Sequence, residues 1–143
     1  MNTFWKDLEF GDAMEALALS KMGLDCYRKK EGKFSAYDVV CVKGNQIVFR
    51  EFKADRWAHI TNRLAIECCS AGKPSGIQTT EADFWCICVW KPNGAEPELY
   101  DIPVSVLKDL INRQEYTEIK AVAENGKNIC YMFPLAAFSQ YRL

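Results

Sequence analysis

A chain of 143 residues, 49% hydrophobic and 26% charged, has enough apolar material for one sizeable core and no length for a second domain. Its net charge of −1 and pI of about 5.9 lack the strong basicity of many nucleic-acid-binding domains. No run approaches the roughly 18 apolar residues of a membrane span, and the start lacks the layout of a signal peptide. We therefore expect one domain over residues 1–143 that stays in the cytoplasm.

The first predicted element is a helix over residues 4–22, because apolar side chains recur there at helical spacing. Thr3 can cap its start and Gly23 can end it. A short strand is predicted over residues 25–30.

The next two predicted strands form a hairpin. Residues 36–43 are predicted to be a buried strand, because their centre is uniformly apolar. Gly44-Asn45 provides a two-residue connection to a strand over residues 46–53. Side chains alternate along a strand, so Glu51 and Lys53 are predicted to point to the same side.

The remaining elements follow from apolar runs bounded by glycine, proline and asparagine. In chain order they are a strand over 64–69, one helical turn after the loop 72–76, a strand over 84–90, an edge strand over 98–102, a helix over 103–112, and a hairpin of residues 118–123 with 128–133.

The candidate active site combines Asp38, twelve intervening residues, and Glu51-Phe52-Lys53. Two carboxylates on paired strands can hold Mg²⁺ through oxygen ligands, and the Phe52 carbonyl could supply another. We expect Mn²⁺ to substitute. Such a metal polarises a phosphate and makes hydroxide available near neutral pH. Lys53 could then orient the attacking water or stabilise negative charge in the transition state.

A plainer interpretation treats Asp38 as a strand-edge acid and Glu51 with Lys53 as a solvated alternating pair. Against it, Asp38 adjoins the apolar run Val39-Val40-Cys41-Val42, where a carboxylate is costly without a cation or hydrogen-bond partners. This desolvation cost favours the functional interpretation.

Charge and cysteine content bear on the same site. Residues 1–75 contain 12 Lys and Arg against 10 Asp and Glu, whereas residues 76–143 contain 6 against 9, so positive charge lies in the half with the candidate site. The seven cysteines occur without the C-x2-C pairs typical of zinc sites. They are expected to be free thiols in a reducing compartment.

With these residues in place, the chain resembles the PD-(D/E)XK nuclease superfamily, and especially its small phage and archaeal Holliday junction resolvase-like branch. The resemblance covers roughly residues 8–90, and the sequence departs from the pattern in having Tyr37 where the family has proline. It implies an α/β restriction-endonuclease-like fold, with a mixed central sheet carrying Asp38, Glu51 and Lys53 and flanked by helices.

The resemblance also implies further site residues. Phe10-Gly11-Asp12-Ala13-Met14-Glu15 is similar to the family's G-x-x-x-E helix, which implies that Glu15 is a metal ligand or contacts a metal-bound water. The alternative is a solvent-facing helix residue. The segments 62–67, 72–77 and 79–85 are similar to a phage subgroup. There Glu67 would be one more polar site residue, and the expected phosphate contacts are Lys73, Ser75, Thr79 and Thr80. The alternative is a plain Gly-Pro turn with a threonine cap.

The expected function is metal-dependent hydrolysis of phosphodiester bonds in DNA, with branched DNA as the favoured substrate. Two symmetric cuts across a junction need two sites related by a twofold axis, which implies a homodimer. A second hypothesis is a nuclease for single-stranded DNA or RNA, on whose unpaired bases Trp5, Trp57 or Tyr37 could stack. The resemblance to the phage branch implies a bacterial or phage-infected host cell. A third is an inactive module that only binds nucleic acid or a protein partner.

Overall fold

The computed structural model describes residues 17–18, 20–21, 25–28, 39–43, 45–122 and 126–143. In these ranges the strands are β1 (Asp25–Arg28), β2 (Val39–Lys43), β3 (Gln46–Asp55), β4 (Arg63–Ser70), β5 (Lys73–Pro74), β6 (Phe84–Val89), β7 (Glu98–Pro103), β8 (Glu118–Val122) and β9 (Asn128–Pro134). The helices are α1 (Ala58–Thr61) and α2 (Val104–Asn112), with 3-10 segments at Gly76–Gln78 and Leu135–Tyr141.

A five-stranded sheet runs in the order β1-β2-β3-β6-β7. It is mixed, because β3 and β6 are parallel while its other neighbouring strands are antiparallel. The predicted hairpin between β2 and β3 is present, with Lys43 opposite Gln46. The predicted α/β class with a mixed central sheet is therefore confirmed.

A second sheet, of four antiparallel strands, runs in the order β5-β4-β9-β8. The strands β4, β8 and β9 were predicted, whereas the short strand β5 lies in the segment predicted as a loop, and the assembly of all four into a separate sheet was not predicted. The pairing of β4 with β9 shifts register between Glu67 and Cys69, which leaves Cys68 as an extra residue in β4. Such a bulge bends a strand and redirects its side chains.

The main core lies between the two sheets and α2. The strand β6 is buried along nearly its whole length, as its apolar sequence predicts for a strand covered on both faces. Its alternating side chains divide between the faces, and Trp85, Ile87 and Val89 enter the main core. The β4 residues Leu64 and Ile66 meet them there.

The opposite face of β6 carries Cys86 and Cys88, which pack with Leu99 and Ala18. Residues 17, 18, 20 and 21 are helical, so this face is covered by the described part of the helix predicted over 4–22. Burial raises the pKa of the Cys88 thiol to about 12 and that of Cys86 further still. Both therefore behave as small apolar side chains and not as nucleophiles.

Two of the features that the sequence did not predict follow Lys53 directly in the chain. Strand β3 continues two residues past Lys53 to Asp55, and α1 follows directly. Asp55 stabilises this turn: its Oδ1 accepts hydrogen bonds from the backbone amides of Trp57 and Ala58, both 2.9 Å, and its Oδ2 accepts one of 3.4 Å from the Ala65 amide.

Within the described ranges, no helix is long and apolar enough to cross a membrane. The single domain over 1–143 stays a prediction.

Candidate active site

Glu51 and Lys53 share one face of β3, as alternation predicts. The Lys53 ammonium lies 3.6 Å from Oε2 of Glu51, and the Glu51 side chain is 8% exposed while that of Lys53 is 40% exposed. A buried carboxylate therefore stands beside an ammonium that solvent and ligands can reach.

Arg50, the residue directly before Glu51, points to the opposite face of β3. Its guanidinium makes two hydrogen bonds to Asp101, of 3.1 and 2.9 Å, and lies 4.8 Å from the centroid of the Phe84 ring. Burial lowers the pKa of Arg50, but the hydrogen bonds and charge interactions with Asp101 and Cys41 together raise it above its ordinary value, so this group stays charged. Arg50 is thus a structural cation, separated by the sheet from the Glu51 side.

Glu51 and Lys53 open onto a cleft of about 400 Å³ between the two sheets. One wall is β3, and the other is β4 with the loop that follows β5. The cleft is lined by Glu51, Phe52, Lys53, Glu67, Pro74, Ser75, Gly76 and Thr79. Segments far apart in the sequence therefore meet at one site.

Glu67 faces this cleft from β4, directly before the bulge at Cys68. The Ser75 hydroxyl donates a 2.9 Å hydrogen bond to Oε2 of Glu67, and the Ser75 amide donates one of 3.0 Å to the Cys68 carbonyl. The loop also packs tightly on β4 at Gly76, where a Cβ would stand 2.2 Å from the Glu67 carbonyl oxygen. Glu67 is thus held in place by both its own strand and the loop.

The structure brings together most of the predicted site residues that it describes. Two of the predicted phosphate contacts do not line the cleft: Lys73 is exposed in β5, and the Thr80 hydroxyl accepts hydrogen bonds from the Trp85 indole at 3.1 Å and the Ala82 amide at 3.2 Å. Asp38 and Glu15 lie outside the described residues.

Trp85 is a core residue that also approaches Lys53. It is 1% exposed, yet its ring centroid lies 5.1 Å from the Lys53 ammonium. The parallel pairing of β3 with β6 explains this approach, because it sets Trp85 opposite Glu51 on the same face. No local signal in the sequence indicates that pairing.

The donor set in the cleft suits a hard divalent cation. Among the residues that the structure describes, no three His, Cys, Asp or Glu side chains form a metal-binding group. Glu51 and Glu67 nevertheless line one cleft from the two sheets, and Mg²⁺ prefers oxygen ligands supplied by one or two carboxylates. Both residues fit as partial ligands of such an ion.

The chain is similar to the 1.6 Å structure of Hjc from Archaeoglobus fulgidus, a Holliday junction resolvase from an archaeal hyperthermophile, at 15% identity, 93% coverage of this chain, 89% coverage of that chain and a TM-score of 0.44. No protein-family model and no curated protein matches the chain.

Proposed function

We propose that the chain is a divalent-metal-dependent nuclease of the PD-(D/E)XK type, with a restriction-endonuclease-like fold, that hydrolyses phosphodiester bonds in DNA. The observation that carries this proposal is the cleft in which Glu51 and Lys53 of one sheet face Glu67 of the other. Carboxylates for a cation and an ammonium for a phosphate are the groups that the reaction needs.

Asp38 belongs to the proposed site on the basis of its position in the sequence. It directly precedes Val39, whose partner in β3 is Arg50, the residue directly before Glu51. Because the strands are antiparallel, continuing this register by one residue pairs position 38 with position 51. Asp38 would then supply the second carboxylate beside Glu51. Glu15 remains a proposed ligand on the resemblance alone, and the Phe52 carbonyl remains one because it lies between Glu51 and Lys53.

Five residues in or near the cleft have distinct roles in the proposed reaction. A bound Mg²⁺ would polarise the scissile phosphate and lower the pKa of a bound water. Glu51 and Glu67 would hold this ion from the two walls, while the Lys53 ammonium stabilises the developing negative charge. Thr79 lines the cleft and would contact a phosphate oxygen there. Exposed Lys73 would contact a neighbouring phosphate of the DNA backbone.

Branched DNA is the substrate that we propose, cut by a homodimer whose two sites make symmetric incisions. The test compares wild type with Lys53→Ala and Glu51→Gln on a labelled four-way junction, its matched linear duplex and a single strand, each in Mg²⁺, Mn²⁺ and EDTA. Lys120→Ala removes an exposed lysine that does not line the cleft, and it serves as the charge-matched control.

We expect metal-dependent, symmetric cutting of the junction that Lys53→Ala and Glu51→Gln abolish and that Lys120→Ala retains. Equal cutting by Lys53→Ala would exclude this site. A strictly monomeric protein that ignores junctions would exclude the resolvase assignment. Binding that survives EDTA, with no cleavage in either metal, would support an inactive binding module.

One observation favours the second candidate, a nuclease for single strands. The Trp57 side chain is 69% exposed at the start of α1, immediately beyond the strand that carries Glu51 and Lys53. An exposed indole can stack on an unpaired base, whereas paired bases are shielded within a duplex. Metal-dependent cutting of the single strand alone would retain the site and replace the junction as substrate.

A further inference from the structure

We infer that Trp85 and Thr80 are positioning residues that hold the Lys53 ammonium in the cleft, an inference that rests on the proposed nuclease function. The ammonium lies 5.1 Å from the centroid of the Trp85 ring and 3.6 Å from Oε2 of Glu51. A lysine side chain has four rotatable bonds, and these two contacts restrict where its charge lies.

The indole ring is itself fixed. Trp85 is 1% exposed within the main core, and its Nε1 donates a 3.1 Å hydrogen bond to Oγ1 of Thr80. The same hydroxyl oxygen accepts a 3.2 Å bond from the Ala82 amide, while the Thr80 amide donates a 3.0 Å bond to the Gly76 carbonyl. The loop that forms one wall of the cleft therefore also sets the orientation of the ring.

An aromatic face is well suited to this task. It attracts the ammonium through its quadrupole and neither accepts a proton nor carries a charge. If Glu51 were the only attraction, the ammonium would be drawn onto the carboxylate that is proposed to bind the cation. The Trp85 ring offers a competing contact, so Glu51 remains available for metal and Lys53 remains available for phosphate.

The first test measures Lys53 directly and needs no nuclease activity. The folded protein is treated briefly with an amine-acylating reagent, and the modification of Lys53 is quantified by mass spectrometry against exposed Lys108 as an internal reference. The variants are Thr80→Val and Thr80→Ser, then Trp85→Phe and Trp85→Leu. Thr117→Val is the matched control, since it removes another threonine hydroxyl bond, the 3.1 Å bond to the Met132 carbonyl.

Loss of the ring contact should expose the ammonium to the reagent and raise Lys53 acylation about two- to fivefold, as a cation–π contact of this kind implies. We expect this rise for Trp85→Leu and Thr80→Val, a smaller rise for Trp85→Phe, and wild-type behaviour for Thr80→Ser and Thr117→Val. If Trp85→Leu does not fold, the two Thr80 variants still decide the question. Unchanged acylation in a folded Thr80→Val protein would overturn the inference.

The second test asks whether positioning serves catalysis. With a substrate that wild type cuts, Thr80→Val should lower kcat about two- to fivefold with little change in KM, and Thr80→Ser should restore it. A purely structural role would predict no such split between kcat and KM. If wild type cuts none of the substrates, the nuclease proposal fails, while the acylation result still determines whether Trp85 and Thr80 hold Lys53.

Discussion

The Ser75 hydroxyl donates a 2.9 Å hydrogen bond to Oε2 of Glu67 and so connects the loop after β5 to the strand that carries this acid. A hydroxyl has one proton, so while Ser75 donates to Glu67 it cannot also donate to a phosphate. In this arrangement Ser75 orients a candidate metal ligand, which is a different role from the phosphate contact predicted from the sequence.

Ser75→Ala should weaken Mn²⁺ binding about tenfold, a loss typical when a residue that orients a metal ligand is removed. The measurement is isothermal titration calorimetry of Mn²⁺ into the folded protein. Ser139→Ala is the matched control, because the Ser139 hydroxyl bonds to the Ala136 carbonyl outside the cleft. Equal Mn²⁺ affinities for wild type and both variants would contradict the role assigned to Ser75.

Gly76→Ala should destabilise the fold by about 2–5 kcal/mol through overpacking and backbone strain. An added Cβ would meet the Glu67 carbonyl oxygen at 2.2 Å, and the residue has a φ of +53°. Gly72→Ala separates the two effects, because Gly72 has a φ of +77° with nothing within 4 Å of an added Cβ. Urea unfolding should show the smaller loss at Gly72, and similar losses would mean that the approach to Glu67 relaxes easily.

Asp101→Asn should cost about 3 kcal/mol of folding free energy, because it leaves the Arg50 cation uncompensated in a largely buried site. The side chains of Arg50 and Asp101 are 9% and 13% exposed. Asp109→Asn breaks an exposed pair with Arg113 and should cost only about 0.3–0.5 kcal/mol. Chemical denaturation of the two variants makes the comparison, and equal losses would show that solvent reaches Arg50.

Glu98→Gln should lower stability near neutral pH by about 1 kcal/mol, with a difference that shrinks in acid. A hydrogen bond from Lys91, 2.7 Å long, is the main cause that lowers the pKa of Glu98 below its ordinary value of 4.5. A carboxyl group whose pKa is lower in the folded protein stabilises the fold fully at pH values above its pKa in the unfolded chain. This stabilisation is lost as the pH falls through its pKa in the folded protein.

The measurement for Glu98 is the thermal midpoint of both proteins from pH 7 down to pH 3. Glu81→Gln changes an exposed acid and serves as the control. A gap between wild type and Glu98→Gln that stays constant over this range would contradict the linkage.

Local patterns predicted much of the fold. The alternation of β3 placed Glu51 and Lys53 on one face, and the turn between β2 and β3 predicted their pairing, because both features depend on neighbouring residues. The second sheet was not predicted, since the pairing of β4 with β9 joins segments more than fifty residues apart. Nothing in a strand's own sequence specifies so distant a partner.

The same limit applies to the candidate site. Thr80 has the same appearance in the sequence whether its hydroxyl meets a phosphate or the Trp85 indole, and only the parallel register of β3 with β6 brings that indole to Lys53. Glu67 was assigned from resemblance and lies in the cleft, but its support by Ser75 follows from the pairing of β5 with β4, which no local pattern indicated. Asp38 and Glu15 stay predictions.

Asp55 also has a consequence for engineering this protein. Its carboxylate accepts hydrogen bonds from the amides of Trp57 and Ala58 and a longer one from the amide of Ala65. These bonds fix the segment in which the chain leaves one sheet and enters the other. A tag or dye-labelled loop inserted between residues 56 and 64 would break these hydrogen bonds and separate the two sheets at this point. The exposed turn at Asn93-Gly94 is a better site for such an insertion, because it lies outside the segment that Asp55 holds.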